Sequence, residues 1–396
     1  MTLELNRLTR VIEEMGRAAA EQERDRGRWA GQAQEALRLL TDQGAALRDA
    51  AAEANAAIPT NEPLDATFPL PAIPPRFTVI GADGTQIQPD RHGLTLYYLI
   101  NVGSLVYRHG SGQTPEARST PILRYQDADL YEGSLLVAGN LLDVRRDLAE
   151  VTQLADLVEA EADEAGTVPT PTLALVDGTL LLWVLDDLHV ERKEEKVQQY
   201  QQQLARMRAK GAAVAAFTSR PRSGDVGRLL HLARLGGDAA RAKAEPNPLE
   251  RLPDRAIFAF LPPGARSALF VSPGAANRLY ESEHQVRFFY VNVANDREPP
   301  VIARVEVPAW VTDDPVTTGL RARPIQWVHS IIVHQSRIVG GFPYVLARAD
   351  ELAYVSGPER QRLEEMVGTA LLAAGLTPDL SPKAFYKTLT RQGRRW

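Results

Sequence analysis

Two short segments of this chain share one design, an apolar run followed directly by Asp-Gly-Thr. The first run covers residues 77–82 and precedes Asp83, and the second covers residues 173–176 and precedes Asp177. Short apolar runs bounded by turn residues are typical of buried β-strands. If the two strands are neighbours, both aspartates lie at one edge of a sheet, where ligands bind in open α/β folds. Two carboxylates that close need a shared proton or a divalent cation.

The same segments permit a plainer interpretation, because Asp-Gly is also the commonest dipeptide of tight hairpin turns. The spacing alone does not decide between a tight turn and a cluster of acids at the edge of the sheet. A metal site needs further ligands, and a helix expected over residues 141–163 offers several acids. They are Asp143, Asp147, Glu150, Glu159 and Glu161. Glu150, four residues after Arg146, is a reasonable candidate, and Asp350 lies in a later expected helix that begins after Gly-Phe-Pro.

The amino-acid composition excludes several kinds of active site. The 396 residues contain no cysteine and carry a formal charge of −5, which excludes disulfides, thiolate zinc sites and thiol nucleophiles. The mild negative charge argues against nonspecific coating of nucleic acid, but it suits an acidic metal site whose basic residues are gathered locally. No apolar run reaches the ~18 residues of a membrane span, and the charged N-terminus is unlike a signal peptide. We therefore expect a cytoplasmic protein without a membrane partner.

The chain divides by pattern into four parts. Residues 1–58 are expected to be helical, either lying on their own domain or serving for dimerisation or partner docking. Residues 59–76 are Pro-rich and predict an extended linker. Residues 77–375 form a mixed α/β body, and residues 376–396 a basic tail. Further strands of the body are expected over residues 94–102, 105–107, 214–218, 286–293 and 301–307, with a polar region over 236–255 expected as a loop or insertion.

The ordered motifs of the body resemble the NurA nuclease family over about residues 77–367. They read ADGT, a helix with Arg-x-x-x-Glu, LALVDGT, AAFTSRPRS, VRFFYVNV, ARVEVPAW and GGFPYVLARADELA. The resemblance, to the bacterial type, implies a ribonuclease-H-like α/β fold: a mixed sheet flanked by helices. It implies DNA cleavage that depends on Mn²⁺, with Mg²⁺ as the other possible metal. The implied activity is that of an exonuclease, with possible single-strand endonuclease activity. It further implies a homodimer that docks on a HerA-type hexameric, DNA-translocating ATPase to process DNA ends in double-strand break repair.

The resemblance also implies roles for single residues. It assigns metal binding and catalysis to Asp83, Glu150, Asp177 and Asp350. Many family members carry His at the position of Asp350, and Asp remains a good ligand for Mn²⁺ or Mg²⁺. The family often has Tyr where this chain has Phe342, so the role of a hydroxyl there is open.

A polar turn after the expected strand 214–218 contains Ser219, Arg220 and Arg222. These residues are candidates for contacting the DNA backbone, although arginines are also ordinary in loops.

Two other functions compete with a nuclease. A phosphotransferase of the actin/hexokinase type also places an acid and Gly-Thr after a strand, but such loops usually have another glycine between the Asp and the Gly-Thr, and both loops here lack it. A non-catalytic adaptor of a DNA motor would suit the helical N-terminus and the acidic total charge.

Overall fold

The computed structural model describes residues 5–91, 93–164, 170–182, 193–314 and 322–376. Residues 377–396 of the expected basic tail lie outside these ranges. The strands are β1 (Ile58–Pro59), β2 (Phe77–Ile87), β3 (Tyr98–His109), β4 (Glu116–Arg124), β5 (Tyr131–Glu132), β6 (Leu135–Leu136), β7 (Thr172–Asp177), β8 (Ala213–Thr218), β9 (Phe270–Val271), β10 (Val286–Asn292) and β11 (Ile302–Pro308). The helices are α1 (Thr9–Leu39), α2 (Gly44–Glu53), α3 (Asp127–Leu130), α4 (Asn140–Glu164), α5 (Lys193–Ala209), α6 (Asp225–Arg234), α7 (Ala239–Ala244), α8 (Asp254–Ile257), α9 (Ala275–Arg278), α10 (Ala309–Asp313), α11 (Pro324–Ile338), α12 (Tyr344–Ala353) and α13 (Gly357–Ala373).

The main sheet has nine strands among the described residues, in the order β1-β9-β10-β11-β8-β7-β2-β3-β4. β7 runs parallel to both of its neighbours, β2 and β8, and the other pairs are antiparallel. Parallel neighbours need a crossover connection. Helix α4 lies on the connection from the β2–β4 meander to β7, and α5 lies between β7 and β8. The result is the mixed sheet flanked by helices that the sequence predicts.

Strand β2 differs from its expected course. The sequence predicted that it stops at Asp83, and this is wrong because β2 continues to Ile87, paired throughout with β3. The two strands expected over residues 94–102 and 105–107 are one strand, β3, since Gly103 and Ser104 keep their partners on both β2 and β4. Asp83 is therefore a mid-strand residue, and a hairpin turn at this position is excluded.

The second Asp-Gly-Thr segment behaves as expected. β7 ends at Asp177, and Gly178 follows with a φ of +90°, a conformation that glycine adopts without the steric cost of a Cβ atom. Its amide donates a hydrogen bond to the carbonyl oxygen of Phe217 on β8. The chain thus leaves the sheet immediately after Asp177.

Two glycines allow helix α12 to lie with its backbone directly on the sheet. A Cβ atom at Gly103 would lie 2.1 Å from the carbonyl oxygen of Ala349, and one at Gly81 would lie 2.9 Å from that of Val345. Gly103 is the cross-strand partner of Asp83, and alternate residues of a strand share a face. Asp83 and both glycines therefore face α12.

Gly103→Ala should consequently displace α12 and destabilise the protein. We expect the free energy of unfolding to fall by about 3 kcal/mol, at the upper end of overpacking effects, because backbone atoms of a helix cannot rotate away. Gly16→Ala on α1 is the matched control, since its Cβ would meet nothing within 4 Å and alanine favours a helix. Chemical denaturation measures both. Equal stability of the two variants would contradict this account of the contact.

The N-terminal region packs on the far half of the sheet. Ala33 and Leu37 of α1 join Leu47 of α2 in a core shared with α6 and α8. The first turns of the region are different, because their apolar side chains are exposed: Leu5, Leu8, Val11, Ile12 and Met15.

The segment expected as a linker, residues 59–76, contains no helix and lies against the sheet. Its Glu62 forms an ion pair with Arg266, and its Phe68 stacks on the same guanidinium. The polar region over residues 236–255 is not only a loop, as it contains α7 and the start of α8. None of the helices in the described ranges is long and apolar enough to span a membrane.

Candidate active site

Three acids meet on the face of the sheet that α12 covers. Ala82 and Val176 are register partners on the parallel strands β2 and β7, so the residues that follow them, Asp83 and Asp177, stand on strands about 4.8 Å apart. Asp350 extends from α12, and its carboxyl group lies within hydrogen-bonding reach of Asp83. When Asp83 carries a proton, it can donate that proton to the Asp350 carboxylate.

The electrostatics show how closely the acids are grouped. Burial is the largest cause that raises the pKa of Asp83 to about 6, and the charges of Asp177 and Asp350 add to it. The Gly84 amide opposes this shift, since it donates to Asp83 Oδ1 at 2.8 Å. Burial and the charge of Asp350 also raise the pKa of Asp177. Clustered carboxylates with raised pKa values are the environment that a divalent cation relieves.

Glu150 approaches from the other face of the sheet. A Cβ atom at Gly84 would lie 2.5 Å from Glu150 Oε1, so the missing side chain makes room for the carboxylate. Glu150 is 7% exposed. Burial, followed by the charge of Asp147, raises its pKa well above the usual value, and Asp83 and Asp177 contribute to the same shift. Its nearest cation is Arg146, whose Nε is 3.2 Å from Oε1.

The remaining acids of α4 have other partners. Asp143 accepts a hydrogen bond from Gln86, and Asp147 accepts one from Arg146. Glu159 and Glu161 pair with Arg206 and Arg108, further along the helix. The charges of both Asp83 and Asp177 raise the pKa of Glu150, which places this acid of α4 close to the site.

The four acids do not form a closed cage. Among the described residues, one set of three His, Asp or Glu side chains has all its ligand atoms within 4.8 Å of one another, and it lies elsewhere: Glu281, Glu283 and His284. That set precedes β10, and Arg208 already binds Glu283 there at 2.7 Å, so a cation would compete with a guanidinium. At the candidate active site Asp83 and Asp350 lie within hydrogen-bonding reach of each other. Asp177 lies beside them, and Glu150 lies on the opposite face of β2.

The loop after β8 borders the loop that carries Asp177. Thr218 donates a hydrogen bond to the carbonyl oxygen of Gly178, and Ser219, Arg220 and Arg222 follow with exposed side chains. Arg220 has a φ of +49°, a left-handed conformation that is uncommon outside glycine. The three residues thus follow the strand next to β7, beside the turn after Asp177, and their contact with DNA stays a prediction.

Two residues beside the site received no role from the sequence. Arg304 and Glu306 are buried in β11, where Glu306 accepts hydrogen bonds from Thr179 and from the backbone of Leu180. Their signal in the sequence is an Arg and a Glu two positions apart in an otherwise apolar strand, which places both on one face. At the position where a hydroxyl was in question, the ring of Phe342 packs edge-on against Phe217.

Comparison with solved structures shows low similarity to several nucleases. The NurA nuclease from Sulfolobus solfataricus is 13% identical, with 78% of this chain and 88% of that chain covered and a TM-score of 0.43. Another NurA structure is 10% identical, covering 78% and 91%, with a TM-score of 0.38. The catalytic domain of human endonuclease V is 15% identical, covering 84% and 98%, with a TM-score of 0.31.

None of the curated protein sequences matches the chain. The family comparison is decisive, because the model of the NurA domain matches residues 77–355. This range runs from the start of β2 to the residues just after α12, and it contains all four acids, the loop after β8 and the Arg304–Glu306 strand. The chain therefore belongs to the NurA domain family.

Proposed function

We propose that this protein is a metal-dependent nuclease that hydrolyses phosphodiester bonds of DNA. Membership of the NurA family supports a nuclease. The observation that carries the proposal is the grouping of Asp83, Asp177 and Asp350 on one face of the sheet, with Glu150 behind Gly84. The exposed loop with Arg220 and Arg222 borders this acidic group and offers cations to a phosphate backbone.

The donor set fits a hard divalent cation. Asp83, Asp177, Asp350 and Glu150 would hold Mn²⁺ or Mg²⁺, because all four offer carboxylate oxygens. When bound, such a cation lowers the pKa of water and stabilises charge on the phosphate. The chain itself would orient the DNA through Ser219, Arg220 and Arg222, and the low exposure of Glu150 would keep bulk water from that carboxylate.

The family resemblance supports further properties of this nuclease. They are exonuclease action with possible single-strand endonuclease activity, DNA end processing in double-strand break repair, a homodimer, a HerA-type hexameric ATPase as partner, and a cytoplasmic location. Uncovered apolar side chains on α1, such as Val11 and Met15, support a protein partner, because such patches commonly mark interaction surfaces.

Digestion of end-labelled single- and double-stranded DNA by the purified chain tests the activity. We expect cleavage with Mn²⁺ or Mg²⁺ and none with excess EDTA, with activity returning when Mn²⁺ is restored, because the acids need a cation to act. A folded chain that leaves both DNAs intact with either metal, alone and with a HerA-type ATPase, would favour the adaptor instead. ATP binding by the isolated chain would favour the phosphotransferase.

A further inference from the structure

A buried chain of charged groups connects the two loops of the candidate active site. Glu306 accepts hydrogen bonds through Oε2 from Thr179 Oγ1 at 2.7 Å and from the Leu180 amide at 3.0 Å. Its other oxygen, Oε1, accepts from Arg304 Nε at 2.9 Å. Both side chains are almost fully buried, Glu306 at 3% and Arg304 at 5% exposed. One carboxylate therefore anchors the turn that directly follows Asp177.

Arg304 continues the connection to the second loop. Its Nη1 donates to Asp225 Oδ2 at 2.5 Å and reaches Ser223 Oγ at 3.4 Å. Its guanidinium carbon lies 3.6 Å from the ring centroid of Phe288, which fixes the plane of the group. Asp225 is the first residue of α6 and lies three positions after Arg222. The same guanidinium thus holds the end of the loop that carries Arg220 and Arg222.

Stability alone is a poor explanation for this network. Each buried charge loses several kcal/mol of hydration, and apolar residues of similar volume often stabilise a fold equally well or better. Fully paired buried charges instead fix one geometry, because every alternative leaves a charge without a partner. Here that geometry is the spacing between an acid and a basic loop.

We infer that Glu306, held by Arg304, is a positioning residue that fixes the Asp177-Gly178-Thr179 turn relative to the loop over residues 219–224. The inference rests on the proposed function. The contacts of Gly178 run to β8, through Phe217 and Thr218, so Glu306 adds the anchor on the far side of the turn, at Thr179 and Leu180. Together these contacts would keep the Asp177 carboxylate beside Asp83. Glu306 touches neither metal nor substrate and acts through Thr179 and the Leu180 amide.

The sharpest test is the pair Thr179→Val and Thr179→Ser. Valine keeps the shape and removes the hydroxyl that binds Glu306, whereas serine retains the hydroxyl. We expect Thr179→Val to weaken Mn²⁺ binding, measured by calorimetry without DNA, about tenfold, which corresponds to about 1.4 kcal/mol. Thr179→Ser should stay within about twofold of the native chain. Because Thr179 is at the rim of the fold, both should melt within about 2 °C of the native protein.

Glu306→Gln separates the role of Glu306 from other contacts of Thr179, whose hydroxyl also accepts from the Leu181 amide. We expect it to weaken Mn²⁺ binding at least as much as Thr179→Val. Native Mn²⁺ affinity in Thr179→Val, or in a folded Glu306→Gln variant, would overturn the inference, as would a native chain that binds no Mn²⁺. A native chain that binds Mn²⁺ but cleaves no DNA defeats the proposed nuclease, whereas the binding comparison still decides the positioning role.

Discussion

Asp83→Asn should reduce DNA cleavage at saturating Mn²⁺ by at least about a thousandfold, the order of magnitude typical when an essential group of an active site is removed. Asp83 is in contact with the charges of the other acids, because it lies within reach of Asp350 on the α12 face and follows the register partner of Val176 on the strand beside Asp177. Asparagine keeps the shape and one oxygen but loses the charge that a cation requires. The measurement is the single-turnover rate over a range of Mn²⁺ concentrations.

The same variant should not be less stable than the native chain without metal. The folded-state pKa of Asp83, about 6, lies above the ordinary 3.8, so the fold prefers the neutral form. The associated stability is fully present below about pH 4 and is lost as the pH rises through about 6. Asparagine is neutral throughout, so we expect its melting temperature at pH 7 to equal or exceed the native value. It should also depend less on pH between about 4 and 6.

A matched acid shows whether any loss is specific to the site. Glu351 follows Asp350 on α12, but it is exposed and pairs with Arg348. Glu351→Gln should cleave DNA at the native rate. Native activity in Asp83→Asn, or equal losses in the two variants, would contradict the assignment of Asp83.

Glu150→Gln should lower the cleavage rate by at least about a hundredfold while the protein stays folded. The carboxylate lies against Gly84, directly behind Asp83, and its pKa is raised well above the usual value, mainly by burial. A fold that prefers the neutral acid should accept glutamine. Because a ligand charge is lost, a higher Mn²⁺ concentration should be needed for half-maximal cleavage rate. Circular dichroism should confirm the native helix content.

Two acids of the same helix are the controls. Glu159→Gln and Glu161→Gln remove partners of Arg206 and Arg108, which lie away from Asp83. The Glu159 pair is partly exposed, and such pairs contribute on the order of 1 kcal/mol or less to stability. The Glu161 pair is more buried, so Glu161→Gln should be less stable, but we expect both folded variants to retain activity. If either control variant lost activity while Glu150→Gln kept native activity, Glu150 would not be the helix acid of the site.

The amino-acid sequence by itself determined the local features of this protein. Apolar runs and their periodicity predicted β7, helix α4 and the strands β10 and β11, because side-chain periodicity reflects the geometry of each element. The ordered motifs identified the family, and the family profile confirms it. The pair of Asp-Gly-Thr segments also directed attention to Asp83 and Asp177, which β2 and β7 bring side by side.

Tertiary structure decided what depends on residues far apart in the chain. Asp83 is a mid-strand residue because β3 and β7 pair along β2, and an Asp-Gly dipeptide alone cannot distinguish such pairing from a turn. The family resemblance selected Glu150 from the five acids of one helix, whereas helix periodicity alone could not. The structure adds that Glu150 lies on the face of α4 that meets Gly84. The Arg304–Glu306 connection was visible only as two charges in an apolar strand. Its role depends on which loops lie over that strand, and packing alone sets this.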